Sequence, residues 1–322
     1  MTPLTLLVVG DPTARFLGVL ERLPDSTRIV VGKRVEAFVE AAPEAGVILN
    51  ALGPRDVFEA VWRMAPEVLW VHSMSAGLEN TLFRELIESP VPLTNSRGVF
   101  SRSLAEWVAA AMLFFAKDLG RLVRSQQAGR WERFDVEELH GKTLGLVGFG
   151  SIGEAIAERV RALGVKIAAF RRRPELSGHD PLVERVFGPG GLREMLALSD
   201  YVAVTMPLTP ETRGLIGENE LGAMKNTAVL INVGRGPVIV EDALVGALRE
   251  RQIRGAALDV FDVEPLPAGH PFYSLDNLLL SPHCADHVPE WAEDAMRFFV
   301  SNFERFVNGE PLANVVDKKA GY

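Results

Sequence analysis

The stretch Leu144-Gly145-Leu146-Val147-Gly148-Phe149-Gly150-Ser151-Ile152-Gly153-Glu154 decides the fold of this chain. An apolar run, Leu144–Val147, leads directly into three glycines spaced G-x-G-x-x-G. An amphipathic helical stretch, Glu154–Leu163, comes next, and then a second apolar run at Lys166–Phe170. The glycine pattern alone is a weak signal, but between a strand and a helix it has a mechanism. Gly148 permits the tight turn, Gly150 lets the backbone approach a pyrophosphate, and Gly153 lets the helix pack closely on the strand. The N–H groups of the helix start, at Ser151, Ile152 and Gly153, have no helical acceptor and meet the phosphate charge. The loop therefore reads as a site for NADP(H) or NAD(H). A nearby Gly141-Lys142-Thr143 ends like a nucleotide-triphosphate loop, but Val136 stands where that motif needs its first glycine.

On both sides of this stretch, short apolar runs alternate with helical patterns. Before it, strands are expected at Leu4–Val9, Ile29–Val31, Val47–Leu49, Val68–Val71 and Val91–Thr94, with helices at Thr13–Arg22 and Asp56–Met64. After it, strands are expected at Tyr201–Thr205, Ala228–Asn232, Ala256–Val260 and Leu278–Ser281. Uniformly apolar strands between amphipathic helices imply parallel sheets covered on both faces, here two α/β units. A single long helix, Leu104–Ala128 with Gly129 as its stop, is expected to bridge them, and a last helix spans Pro289–Val307.

The 322 residues carry a net charge of −8, which argues against nucleic acid as the main partner. The single cysteine, Cys284, excludes an intramolecular disulfide and fits a cytoplasmic protein; it is expected to be a small buried thiol. The N-terminus reads as a first strand without the basic start of a signal peptide, and the longest apolar run, Trp107–Ala116, is far short of a membrane span. A soluble protein with no membrane partner is expected.

The strand after the glycine loop ends in Phe170-Arg171-Arg172-Arg173, where an NAD site would offer an acid to the ribose hydroxyls. Guanidinium groups hold a 2′-phosphate that an acid would repel, so Arg171, Arg172 and Arg173 favour NADP(H), with NAD(H) as the second candidate. Three further segments come after expected strands: Ile231–Gly236, Ala257–Pro265 and Ser281–Ala285. They bring a fixed cation, carboxylates and an imidazole to the sheet edge where open α/β sheets place ligands. Those are the functions that reduction of a 2-keto acid needs. A guanidinium clamps the carboxylate and polarises the carbonyl, an imidazolium protonates the oxygen, and a carboxylate orients that ring. His283 and His287 are four apart, but the flanking Pro282 and Pro289 argue for a loop, and no full metal-ligand set accompanies them. His72, His140, His179 and His270 have no motif context and read as structural or surface groups.

On these motifs the chain resembles the D-isomer-specific 2-hydroxyacid dehydrogenase family over nearly its whole length. The resemblance implies Arg235 as substrate-binding arginine, Glu264 as partner acid and His283 as general acid/base. It implies that Thr205–Thr212, with Pro207 and Thr212, and Val233 and Gly234 line the cofactor, and that Asp259 meets the nicotinamide carboxamide. Ser75, Ala76 and Gly77 match the backbone loop that grips the substrate carboxylate. It also implies a Rossmann cofactor domain, 99–287, inserted in a flavodoxin-like substrate domain, 1–98 plus 288–322, with the active site in the cleft between them and a homodimer as the assembly. With Arg171 where many members carry an acid, the pattern is similar to NADP-using glyoxylate and hydroxypyruvate reductases. A 3-phosphoglycerate dehydrogenase and a nucleotide-sensing corepressor are the rival readings; Arg97 and Arg102 are candidate phosphate ligands for the former. After His283, Cys284 replaces a commoner small residue, so the pocket floor is expected to differ.

Overall fold

The computed structural model describes residues 4–178 and 180–322; His179 lies outside them. The chain divides into two compact units, one holding the residues up to Phe100 together with Val288–Tyr322, the other Ser101–His287.

In the first unit, strands β1 (Thr5–Val9), β2 (Arg28–Gly32), β3 (Ala45–Asn50), β4 (Trp70–Ser73) and β5 (Leu93–Asn95) form a parallel sheet in the order β2-β1-β3-β4-β5. β1, β3 and β4 are buried along their whole length, which explains why they read as unbroken apolar runs rather than as alternation. The helices α1 (Arg55–Met64) and α2 (Arg84–Glu88) connect β3 to β4 and β4 to β5. The helix expected over Thr13–Arg22 is a 3₁₀ helix at Arg15–Arg22. Gly18 lies at its middle and only Leu20 is buried, so neither propensity nor packing favours an α-helix there.

In the second unit, the expected long helix is two helices, α3 (Ser101–Ala116) and α4 (Leu119–Gln127), both inside this unit. The break is at Asp118, whose backbone is left-handed (φ +45°) and whose carboxylate accepts the Arg121 N–H to cap α4. A short acid that tolerates that conformation ends α3, and its carboxylate satisfies the first turn of α4. The strands are β6 (Thr143–Val147), β7 (Lys166–Phe170), β8 (Arg185–Phe187), β9 (Tyr201–Val204), β10 (Val229–Asn232), β11 (Gly255–Leu258) and β12 (Leu278–Leu280). They form a parallel sheet in the order β12-β11-β10-β9-β6-β7-β8. The unexpected member, β8, is three residues long and pairs only with β7 at the edge. α5 (Ser151–Arg161), α6 (Leu192–Leu198), α7 (Glu218–Ala223) and α8 (Glu241–Arg249) link the strands, and α5 packs on α3. The order reverses between β6 and β9, and that switch point opens a crevice at the carboxyl ends of the strands.

The chain returns to the first unit through α9 (Trp291–Val307), where Trp70, Phe299, Phe303 and Phe306 form an aromatic cluster. Among the described residues no helix is long and apolar enough to cross a membrane.

Candidate active site

Every expected cofactor and catalytic residue after Ser101 lies at the carboxyl edge of the seven-stranded sheet, because each comes after the end of a parallel strand. The glycine loop leaves β6 with each glycine in a distinct environment. Gly148 has φ +100°, and a Cβ there would stand 3.1 Å from the Met206 backbone nitrogen. A Cβ on Gly153 would stand 2.9 Å from the Gly148 carbonyl, so the helix start lies close against the turn. Gly150 has nothing within 4 Å of such a Cβ: the space above it is open. No side chain caps α5, so the N–H groups at Ser151, Ile152 and Gly153 face that space. An open space over unpaired helix amides fits a pyrophosphate. Thr205, at the end of β9, donates its hydroxyl to the Gly148 carbonyl at 2.7 Å and ties the two sides of the switch point together.

Along the same edge, Thr212 donates its hydroxyl to the Pro207 carbonyl at 2.7 Å, folding Pro207–Thr212 into a compact turn. A Cβ on Gly234 would meet the Met206 carbonyl oxygen at 2.8 Å, so Val233-Gly234 runs tightly beside that segment. Beyond β7, Arg171 donates to the Ser177 hydroxyl, whereas Arg172 and Arg173 are exposed. Arg172 acts on Glu211 across the loop, helping to hold that carboxyl below its ordinary value; hydrogen bonding from Thr209 is the larger cause.

The catalytic candidates come from three adjacent strands. Arg235 comes after β10, and Asn232 fixes its loop by donating to the Arg235 carbonyl at 3.0 Å and accepting the Gly234 N–H at 3.0 Å. Gly236 has no room for a side chain against the Phe261–Asp262 backbone, so the loops after β10 and β11 are pressed together. Glu264 does two jobs with its two oxygens. Oε1 accepts the Phe261 N–H at 2.9 Å and closes the loop, while Oε2 lies 2.6 Å from His283 Nδ1. The imidazole is thus held by one ring nitrogen, leaving Nε2 for a substrate. His283 has φ +52°, an uncommon backbone for a non-glycine residue and one concentrated at functional sites.

Asp259 is 1% exposed, and its Oδ1 takes three donors: the Ser281 hydroxyl at 2.5 Å, Cys284 N–H at 2.9 Å and Ala285 N–H at 3.1 Å. Burial raises its carboxyl above the ordinary value, opposed by those donors and by nearby His283. Asp259 therefore shapes the turn that carries His283, and its Oδ2 takes no donor among the described residues. Sequence reasoning missed Thr205, Asn232 and Ser281 as supports, since a hydroxyl or amide beside a motif carries no pattern of its own. Cys284 is exposed, not buried as expected: it lies next to His283 on the open side of the turn, its thiol 3.5 Å from Ser281 Oγ.

In the first unit, Ser75, Ala76 and Gly77 come after β4, again at a carboxyl strand end, and are half-buried. Their N–H groups have no acceptor among the described residues, and three successive unpaired amides make a seat for an anion. Arg97, beyond β5, is exposed, as is Arg102 on α3 of the other unit.

A family model described as "D-isomer specific 2-hydroxyacid dehydrogenase, NAD binding domain" matches residues 109–285, and the chain belongs to the D-isomer-specific 2-hydroxyacid dehydrogenase family. It is an NAD(P)-dependent oxidoreductase of that family. The chain is similar to a glyoxylate reductase of Thermococcus gammatolerans, 31% identical over 88% of this chain and 86% of that protein. It is 30% identical to a D-3-phosphoglycerate dehydrogenase of Methanocaldococcus jannaschii, over 97% of this chain and 59% of that protein. Among solved structures, a D-isomer specific 2-hydroxyacid dehydrogenase of Xanthobacter autotrophicus Py2 in complex with NADPH and MES aligns with a TM-score of 0.85. That match has 30% identity and covers 100% of both chains.

Proposed function

We propose that this enzyme is an NADPH-preferring reductase of small 2-keto acids, with glyoxylate and hydroxypyruvate as its substrates. The observation that carries the reading is the Glu264–His283 pair at 2.6 Å, on the same sheet edge as Arg235. Arg235 clamps the substrate carboxylate and polarises its carbonyl. His283 delivers the proton to the carbonyl oxygen from Nε2, and Glu264 keeps the ring turned to do so. Ser75, Ala76 and Gly77 take the substrate carboxylate on their N–H groups. When bound, the nicotinamide would supply the hydride; the Gly148–Gly153 amides would hold the pyrophosphate of the dinucleotide, and Asp259 would hold its carboxamide. Pro207, Thr212, Val233 and Gly234 line the cofactor.

Arg172 and Arg173 support the NADPH preference because they are exposed cations at the end of β7, where the adenosine ribose of a dinucleotide lies. Arg171, bonded to Ser177, buttresses that loop from within. The similarity to a relative solved with NADPH points the same way. The similarity to a phosphoglycerate dehydrogenase favours one rival, oxidation of 3-phosphoglycerate. Comparing kcat/KM for glyoxylate, hydroxypyruvate and the phosphorylated keto acid, each with NADPH and NADH, tests both points. Clear preference for NADH rejects the arginine argument, and clear preference for the phosphorylated acid rejects the substrate assignment. The homodimer belongs to the same proposal: Leu122 and Val123 on α4 and Trp131 beyond it, the last 92% exposed, offer an apolar face to a second copy. Sedimentation as a single chain contradicts it.

A further inference from the structure

The loop Met74–Asn80 of the first unit is pinned at its ends and at points inside, where the Ser75 carbonyl accepts the Ser96 N–H at 3.4 Å, the Glu79 carbonyl accepts from Arg55 at 3.2 Å, and the Ala76 carbonyl is held by Asn95. Asn50, at the end of β3, donates its Nδ2 to Thr81 Oγ1 at 3.3 Å, and the Ser73 and Thr81 hydroxyls lie 3.1 Å apart. All three side chains are buried, and their bonds close the loop's ends on each other. Inside the loop, buried Asn95 at the end of β5 donates its Nδ2 to the Ala76 carbonyl at 2.7 Å. Asn95 is held in turn from the C-terminal segment: Asn314 donates its Nδ2 to the Asn95 carbonyl at 3.2 Å and to the Arg97 carbonyl at 2.7 Å.

Across a planar trans peptide the C=O and N–H point in opposite directions. The bond that draws the Ala76 carbonyl towards Asn95 therefore turns the Gly77 N–H away from it. We propose that Asn95 is a positioning residue for substrate binding: acting through the Ala76 carbonyl, it aims the Gly77 N–H at the substrate carboxylate, and Asn314 holds Asn95 in place. This inference rests on the reading of Ser75–Gly77 as the carboxylate grip. It makes the grip preformed, held from outside the loop, with the Ala76–Gly77 peptide oriented by Asn95.

The test is steady-state kinetics of the full-length protein with glyoxylate and NADPH, alongside NADPH titration by fluorescence and thermal unfolding. Asn95→Ala should raise KM for glyoxylate about tenfold with kcat and NADPH affinity unchanged, the pattern of lost uniform binding. Asn95→Asp, which keeps the shape but faces a carbonyl with a carboxylate, should raise KM further. Asn314→Ala, which loosens Asn95 without touching the loop, should raise it about threefold. Gly77→Pro deletes the N–H itself and serves as the reference. A KM raised by Gly77→Pro but unmoved in the asparagine variants overturns the role of Asn95 and leaves the loop reading standing. A KM unmoved in all of them overturns both. Loss of thermal stability with unchanged KM assigns the amides to folding alone and also overturns the proposal. Should Asn95→Ala fail to fold, Asn95→Asp and Asn314→Ala decide by the same criteria.

Discussion

His72 and His283 are both hydrogen-bonded histidines at a parallel sheet, yet they have opposite chemistry. His72, on β4, is 0% exposed and packed against Trp70, Phe298 and Phe299. Its Nδ1 lies 2.7 Å from the Thr94 hydroxyl, which also accepts from Trp70 Nε1 at 2.9 Å. Burial without a charge partner pushes the His72 imidazole down to about 3. His283 stands past the end of β12, its side chain 43% exposed, with a carboxylate at 2.6 Å instead of a hydroxyl. A neutral partner in a dry core makes a histidine a structural element, whereas a carboxylate at an open strand end suits one to the proton-donor role proposed for His283.

Substitutions around His283 probe the catalytic half of this contrast. The largest effect is expected from His283→Ala, which should lower kcat about 10³-fold, the scale of a lost general acid, without changing cofactor affinity. Arg235→Lys keeps the charge but loses the fork geometry, and should lower kcat/KM about 10²-fold. Stopped-flow or steady-state NADPH oxidation reads both. Glu264→Gln keeps shape and the Phe261 contact but removes the charge beside the ring, and should cost about 10-fold to 100-fold in kcat. An effect of Glu264→Gln confined to thermal stability would assign that acid to the loop alone. The double variant Arg172→Ala, Arg173→Ala should reduce the NADPH-over-NADH ratio by about tenfold, the scale of one charge-assisted hydrogen bond.

The prediction for the buried histidine is one of stability, not of rate. His72 binds a proton more readily unfolded, near 6.5, than folded, near 3, so the unfolded chain takes up the proton first. Its stabilising contribution is therefore intact above pH 6.5 and is lost as pH falls from there towards 3, at about 1.4 kcal/mol per pH unit. Chemical denaturation between those limits should show stability dropping more steeply as pH falls in the wild type than in His72→Gln, the difference being the His72 contribution. Equal slopes in the wild type and His72→Gln would mean that His72 does not titrate on unfolding.

Much of this was legible in the sequence because parallel strands covered on both faces are unbroken apolar runs, and because the glycine loop, Arg235, Glu264 and His283 each come soon after one. What the sequence did not disclose was set by single backbone conformations or by distant contacts. The break at Asp118 depends on one left-handed residue inside an otherwise helical pattern. β8 is too short and too polar at its edge to show a period. The Asp259 bonds to the turn beyond β12 join residues 22 to 26 apart, and the Asn314–Asn95 bond joins residues 219 apart. No local pattern records such pairs, and Cys284 was misread as buried because its exposure is set by that turn.

The division of labour between the two histidines, with His283 as the proton donor, is tested most directly by the rate of NADPH oxidation. Purified wild-type protein and His283→Ala are compared side by side on a panel of small 2-keto acids. Rapid oxidation with glyoxylate or hydroxypyruvate is expected for the wild type, with a loss of about 10³-fold in the variant. Oxidation by the wild type no faster than by His283→Ala, on every acid of the panel, would contradict it.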